Sequence, residues 1–161
     1  SNERLDIMCA MVRYAQDGNG SPRLKGELKN GEPRKMTCRT SDQNPDYTRI
    51  GDRQYHYFVV DVPKGCKEVV LSLEPVLGYS DYAMYLCAGY EPFPKMENAG
   101  YRNVSSTFAK EIRIPNPKHG KLYVSVFCHT TVDTVDSPYG HQYAGRVDVL
   151  NGVPYIIKAA F

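Results

Sequence analysis

Tryptophan is absent from this chain of 161 residues, and no Cys-x-x-C pair occurs among its five cysteines. The second absence removes zinc ribbons and thioredoxin-type motifs, whose chemistry needs two thiols held together at that spacing. Cys9, Cys38, Cys66, Cys87 and Cys128 stand at long, irregular intervals, too sparse for a disulfide-built miniprotein. Their odd number leaves at least one thiol free or paired outside the chain. No window approaches the ~18 apolar residues of a membrane-spanning helix, and no signal-peptide apolar core is visible. Charge of one sign is not concentrated either: 20 basic and 18 acidic residues are interspersed, net +2. A nucleic-acid module carries a concentrated basic face, so nucleic acid is not an expected partner. Also missing are a G-x-S-x-G elbow, an H-E-x-x-H pair and a P-loop, so no catalytic signature is present and no enzymatic activity is expected.

Tyrosine, glycine and proline are plentiful, at 13, 13 and 11, among many Val and Ile residues. Aromatic and β-branched residues suit a pleated, half-buried surface, and Gly and Pro cut it into short pieces. From residue 54 onward the alternation is plain. "QYHYFVVDVPKG" reads as a strand closed by a turn. In "KEVVLSLEP", Val69, Leu71 and Leu73 alternate with Val70, Ser72 and Glu74. "DYAMYLCA", "AKEIRIPNP", "GKLYVSVFCHT", "QYAGRVDVL" and "PYIIKAAF" continue the series. These seven strands, separated by turns and lacking any βαβ rhythm, predict an all-β antiparallel sandwich of about 7–9 strands, jelly-roll-like, over residues 31–161. Leu71, Leu73, Val124, Val126 and Ile157 fall on its apolar faces. Residues 1–30 form an N-terminal segment of uncertain structure: Leu5, Met8 and Val12 have helical spacing, while Ile7, Cys9 and Met11 alternate as a strand does.

The candidate contact residues lie in the loop over 89–104, where "GYEPFPKMENAGYRN" sets Tyr90, Phe93, Met96 and Tyr101 among polar residues. Tyr supplies large, rigid, amphipathic contact area and is enriched at binding surfaces. A plainer reading has strand tyrosines covering a sheet face with the hydroxyl in water. Asp133 and Asp136, in the loop "HTTVDTVDSPYGH", are the candidate metal ligands: calcium takes several oxygens on flexible backbone, though the dense acid spacing of an EF-hand is lacking. The four histidines are scattered. Cys128 and His129 are neighbours in a strand and point to opposite faces, so they cannot form a dyad with each other. Cys87 and Cys128 read as buried thiols or as one disulfide.

Several short motifs occur in a telling order: Asn30-Gly31-Glu32-Pro33, "YFVVDVPKG" at 57–65, "EVVLSL", "SDYAMYLCAGYEPFP", "PKHGKLYVSV" at 117–126, and "YIIKAAF". From Gly31 to the C-terminus this order resembles the bacterial pre-peptidase C-terminal domain, a β-sandwich often appended to secreted peptidases. Asp81 and Tyr85 match the first Asp and the Tyr of that family's "GDADLYV"-like strand, which adds both to the candidate contact residues. Ala83 stands where the family has its second Asp. A weaker similarity is to the C2-like sandwich of calpain-type proteases.

The resemblance implies a noncatalytic accessory or binding module, attached to a peptidase or other enzyme. Its partner would be a protein, a glycan or a neighbouring enzyme domain, in a secreted or cell-surface setting. The alternative is an intracellular scaffold or interaction domain of the calpain-type sandwich class. Free thiols would favour the latter, disulfides the former.

Overall fold

The structure is a computed structural model that describes residues 22–39, 44–129, 133–144 and 151–161. Cys9 and most of the expected N-terminal segment lie outside these residues, as do positions 145–150 of the strand expected at "QYAGRVDVL".

Two sheets form the sandwich. The first contains β1 (Leu24–Glu27), β3 (Tyr55–Val62), β5 (Met84–Gly89), β6 (Tyr101–Asn103) and β8 (Gly120–Cys128), in the order β1-β3-β8-β5-β6. The second contains β2 (Arg34–Met36), β4 (Glu68–Pro75), β7 (Lys110–Pro115) and β11 (Tyr155–Ala160), in the order β2-β11-β4-β7. A separate hairpin pairs β9 (Asp133–Ser137) with β10 (Gly140–Ala144). Pairing is antiparallel except at one edge, where β1 runs parallel to β3. β1 and the buried Leu28 therefore join the sandwich from ahead of residue 31.

Each long strand shows the period-two pattern that a sheet with one buried face requires. In β3 the inward set is His56, Phe58, Val60 and Val62. In β8 it is Leu122, Val124, Val126 and Cys128, and in β4 Val69, Leu71 and Leu73. Leu71, Leu73, Val124, Val126 and Ile157 are all fully buried in one core cluster, so the expected registers hold. Met84 and Leu86 also face this core.

Three expected elements differ. β5 begins at Met84, so Asp81 lies in the preceding turn and does not start the strand; Tyr82, fully buried, is swallowed by the core at that turn. Much of the loop expected at 129–141 is the β9–β10 hairpin. Within the loop expected over 89–104, Tyr101–Asn103 pairs with β5 as the short edge strand β6. Among the described residues no helix is long and apolar enough to cross a membrane.

Candidate functional site

The alternation that buries one face of the five-stranded sheet sends the other side chains outward. On β5, β8 and β3 those include Tyr85 and Cys87, Ser125 and Phe127, and Tyr55 and Tyr57, with Val59 and Tyr123 and then the exposed Asp61 and Lys121 farther along β3 and β8. Register then sets the first-named residues in two rows: Tyr85 beside Phe127 beside Tyr55, and Cys87 beside Ser125 beside Tyr57. The rings run together. Tyr85 stacks on Phe127 with centroids 6.0 Å apart, Phe127 lies 4.6 Å from Tyr55, and Tyr55 stacks on Tyr57 at 5.7 Å. His129, exposed, closes the series 5.5 Å from Tyr85. Much of each ring face is taken up by the next ring, a cross-strand ladder that stabilises the sheet.

The outer face of the other sheet is different in kind. It carries Ser72 and Glu74, Glu111 and Arg113, and Lys158. Arg113 bridges Glu111 at 2.5 Å and Glu68 at 3.1 Å, exposed ion pairs of a solvated surface. The first outer face thus carries a ring ladder, and the second a cluster of exposed ion pairs.

Residues 90–100 fold over part of the aromatic side. Phe93 takes a left-handed backbone, φ +58°, and sets its ring edge-on to Tyr57 at 5.0 Å. The Met96 N–H donates to the Tyr55 hydroxyl at 3.1 Å, and Arg102 Nη1 donates to the Met96 carbonyl at 2.6 Å. Asn98 Oδ1 accepts from the Lys95 N–H at 2.9 Å, closing the turn between them. Beneath this cover Tyr57, Cys87 and Ser125 are buried although they point away from the main core. Burial pushes the Cys87 thiol up to about 11, so it is no nucleophile at neutral pH.

The same segment opens a cleft of about 330 Å³ between Tyr90, Pro92, Pro94 and Tyr101, with Asn98 and Glu91 also in its lining. Tyr90 and Tyr101 meet edge to face at 6.4 Å. The Tyr90 hydroxyl accepts the Lys118 N–H at 3.1 Å, and the Lys118 ammonium sits 4.9 Å from the centre of the Tyr90 ring. Burial, and then the neighbouring Tyr90, hold the Tyr101 phenol above its ordinary range. Rigid aromatic walls with polar groups beside them form a surface that takes an apolar or amphipathic group.

Phe93 and Met96 therefore sit over the ring ladder, against Tyr57 and Tyr55, and Tyr85 joins them through it; Tyr90 and Tyr101 instead meet each other at the cleft and pack against the main core, Tyr101 opposite the core-facing Ala88. Asp81 is not part of this group; it lies ahead of β5, at the end of the strand away from residues 90–100. Asp133 and Asp136 lie in β9, outside the loop in which they were expected, and their side chains are outside the description. Among the described residues no three His, Cys, Asp or Glu side chains gather as a metal site needs. Cys128 faces the core and His129 faces solvent, as strand alternation requires. Cys87 and Cys128 occupy opposite faces of one sheet and are free thiols, as are Cys38 and Cys66. Tyr55, Tyr57 and Phe127 belong to this surface as well. Their outward phase was visible in the alternation of "QYHYF" and "LYVSVFC", but their cross-strand partners were not.

No protein-family model and no curated protein sequence matches the chain. Among solved structures, it is similar to the pre-peptidase C-terminal domain of a collagenase from Bacillus anthracis. That match has 10% sequence identity and a TM-score of 0.44, covering 87% of this chain and 99% of the other.

Proposed function

We propose that this chain is a noncatalytic accessory module that holds a partner against the Tyr90–Tyr101 cleft and the aromatic side of its five-stranded sheet. The observation that carries the reading is the difference between the two outer faces, an aromatic ladder on one and exposed ion pairs on the other, together with the Tyr90–Tyr101 cleft beside edge strand β6. Tyr85, Phe127, Tyr55, Tyr90 and Tyr101 are half-buried, so each keeps part of its ring at the surface, and aromatic surface is where interfaces gather binding energy. The potential nucleophiles fit the same reading: Cys128 and Cys87 are buried, and His56 is sealed in the core.

The tie to a peptidase, the secreted or cell-surface setting and the protein or glycan partner rest on the order of sequence motifs from Gly31 onward. Cys38, Cys66, Cys87 and Cys128, the free cysteines among the described residues, favour the second reading, an intracellular interaction domain, because a reducing compartment keeps thiols unpaired. Both readings place the contact on the same face.

A tethered binding face raises effective concentration without touching the transition state. Deleting the module from its parent protein should therefore leave turnover of a small soluble substrate nearly unchanged and weaken action on large or anchored substrates. Equal loss on both classes of substrate would refute the accessory role.

A further inference from the structure

His56 is enclosed between the two sheets with none of its surface in water. It comes from β3 of the five-stranded sheet, and Nδ1 lies 2.7 Å from the hydroxyl of Tyr155, which comes from β11 of the four-stranded sheet and is equally buried. The pair is a hydrogen bond across the core, joining sheets that otherwise meet here through apolar packing. A neutral imidazole suits it in either tautomer, since the tyrosine hydroxyl can give or take the proton. An imidazolium does not suit it. Nε2 has no hydrogen-bond partner among the described residues, so a second N–H would point into the core unsatisfied.

Nor, among the described residues, does a facing anion compensate. The charges bearing on His56 are the cations Lys25 on β1 and Arg23 just before it. Arg34 on β2 bears on Tyr155, and Cys128 on β8 is a buried neutral thiol. Asp52, the buried carboxylate ahead of β3, pairs with Arg53 Nε at 3.4 Å.

We propose that the His56–Tyr155 pair is an acid-sensitive latch between the two sheets: it closes the sandwich near neutral pH and is broken when the imidazole takes a second proton. Burial, then Lys25 and Arg23, hold the folded-state pKa of His56 well below the ordinary 6.5. The unfolded chain therefore binds a proton that the folded chain refuses, and stability falls as pH drops below about 6.5. Over that window the folded-to-unfolded ratio should fall up to about tenfold per pH unit from this one group.

The experiment is a denaturant-unfolding series from pH 7.5 to 5 on the wild type and on His56→Gln, whose amide keeps a polar contact to Tyr155 without titrating. The proposal expects the wild type to lose stability on acidification and the variant to lose it less, by up to tenfold per unit in the folding ratio. Equal slopes would overturn it. Should His56→Gln fail to fold, the wild-type His56 ring followed by NMR decides the matter. A resonance that stays flat to pH 5 in the folded protein supports the latch; one that titrates at 6.5 or above refutes it.

Discussion

Phe93 separates the part of the aromatic side that holds the loop from the part free to touch a partner. Its ring is half-buried, edge-on to Tyr57 at 5.0 Å, on a backbone at φ +58°. Full burial of a Phe side chain contributes about 1.5–3 kcal/mol, so half-burial contributes about 1. The edge contact adds about 0.5–1.5 kcal/mol. Phe93→Ala should then destabilise by about 1.5–2.5 kcal/mol. A left-handed backbone costs a residue with a Cβ about 1–2 kcal/mol, and that cost remains in the alanine variant. Glycine escapes it but enlarges the entropy of the unfolded chain, by somewhat less. Phe93→Gly should therefore be the more stable of the two, by about 1 kcal/mol, although it removes more of the side chain. At this chain length the difference corresponds to about 2–4 °C in melting temperature. Paired urea and thermal melts measure it. A glycine variant less stable than the alanine variant, or an alanine variant as stable as wild type, would refute the placement of Phe93 as the anchor of this segment.

In the core, Leu71→Ala should cost about 2–5 kcal/mol in denaturant unfolding, because Leu71 is wholly enclosed between the sheets. A bulky thiol reagent should label Cys66, which is partly exposed, well before Cys128 and Cys87; burial raises the pKa of both. Fast native-state labelling of Cys128 would mean that the core opens. For calcium, a melt in millimolar Ca²⁺ should rise if Asp133 and Asp136 contribute oxygens, and the rise should vanish in Asp133→Ala; no rise leaves the hairpin a plain connection.

Strand phase was legible in the sequence because one buried face and one wet face write a period of two. Val69, Leu71 and Leu73 show it, as do Leu122, Val124 and Val126. Residues whose burial follows from tertiary pairing escaped that signal. Tyr57 stands on the outward phase of β3 and is buried where Phe93 folds back upon it and Tyr55 stacks beside it. β1 was hidden in a polar stretch: Lys25 is buried there, and Gly26 leaves room for the Arg34 guanidinium, whose Nη1 would lie 2.8 Å from any Cβ. An edge strand held by such polar contacts has no apolar alternation to betray it. The His56–Tyr155 bond spans 99 positions of sequence, and its two residues read separately as a strand histidine and a strand tyrosine.

The most direct test of the binding role is an array of glycans and peptides probed with the wild type and with the Tyr90→Ala/Tyr101→Ala double variant, after melting curves show that both are folded. A binding module of this kind should show ligands that the wild type retains and the double variant loses, with no bond in any of them cleaved. Ligands held equally by both proteins, an array with no retained ligand, or turnover of a peptide, ester or glycoside by the isolated chain would contradict the binding role.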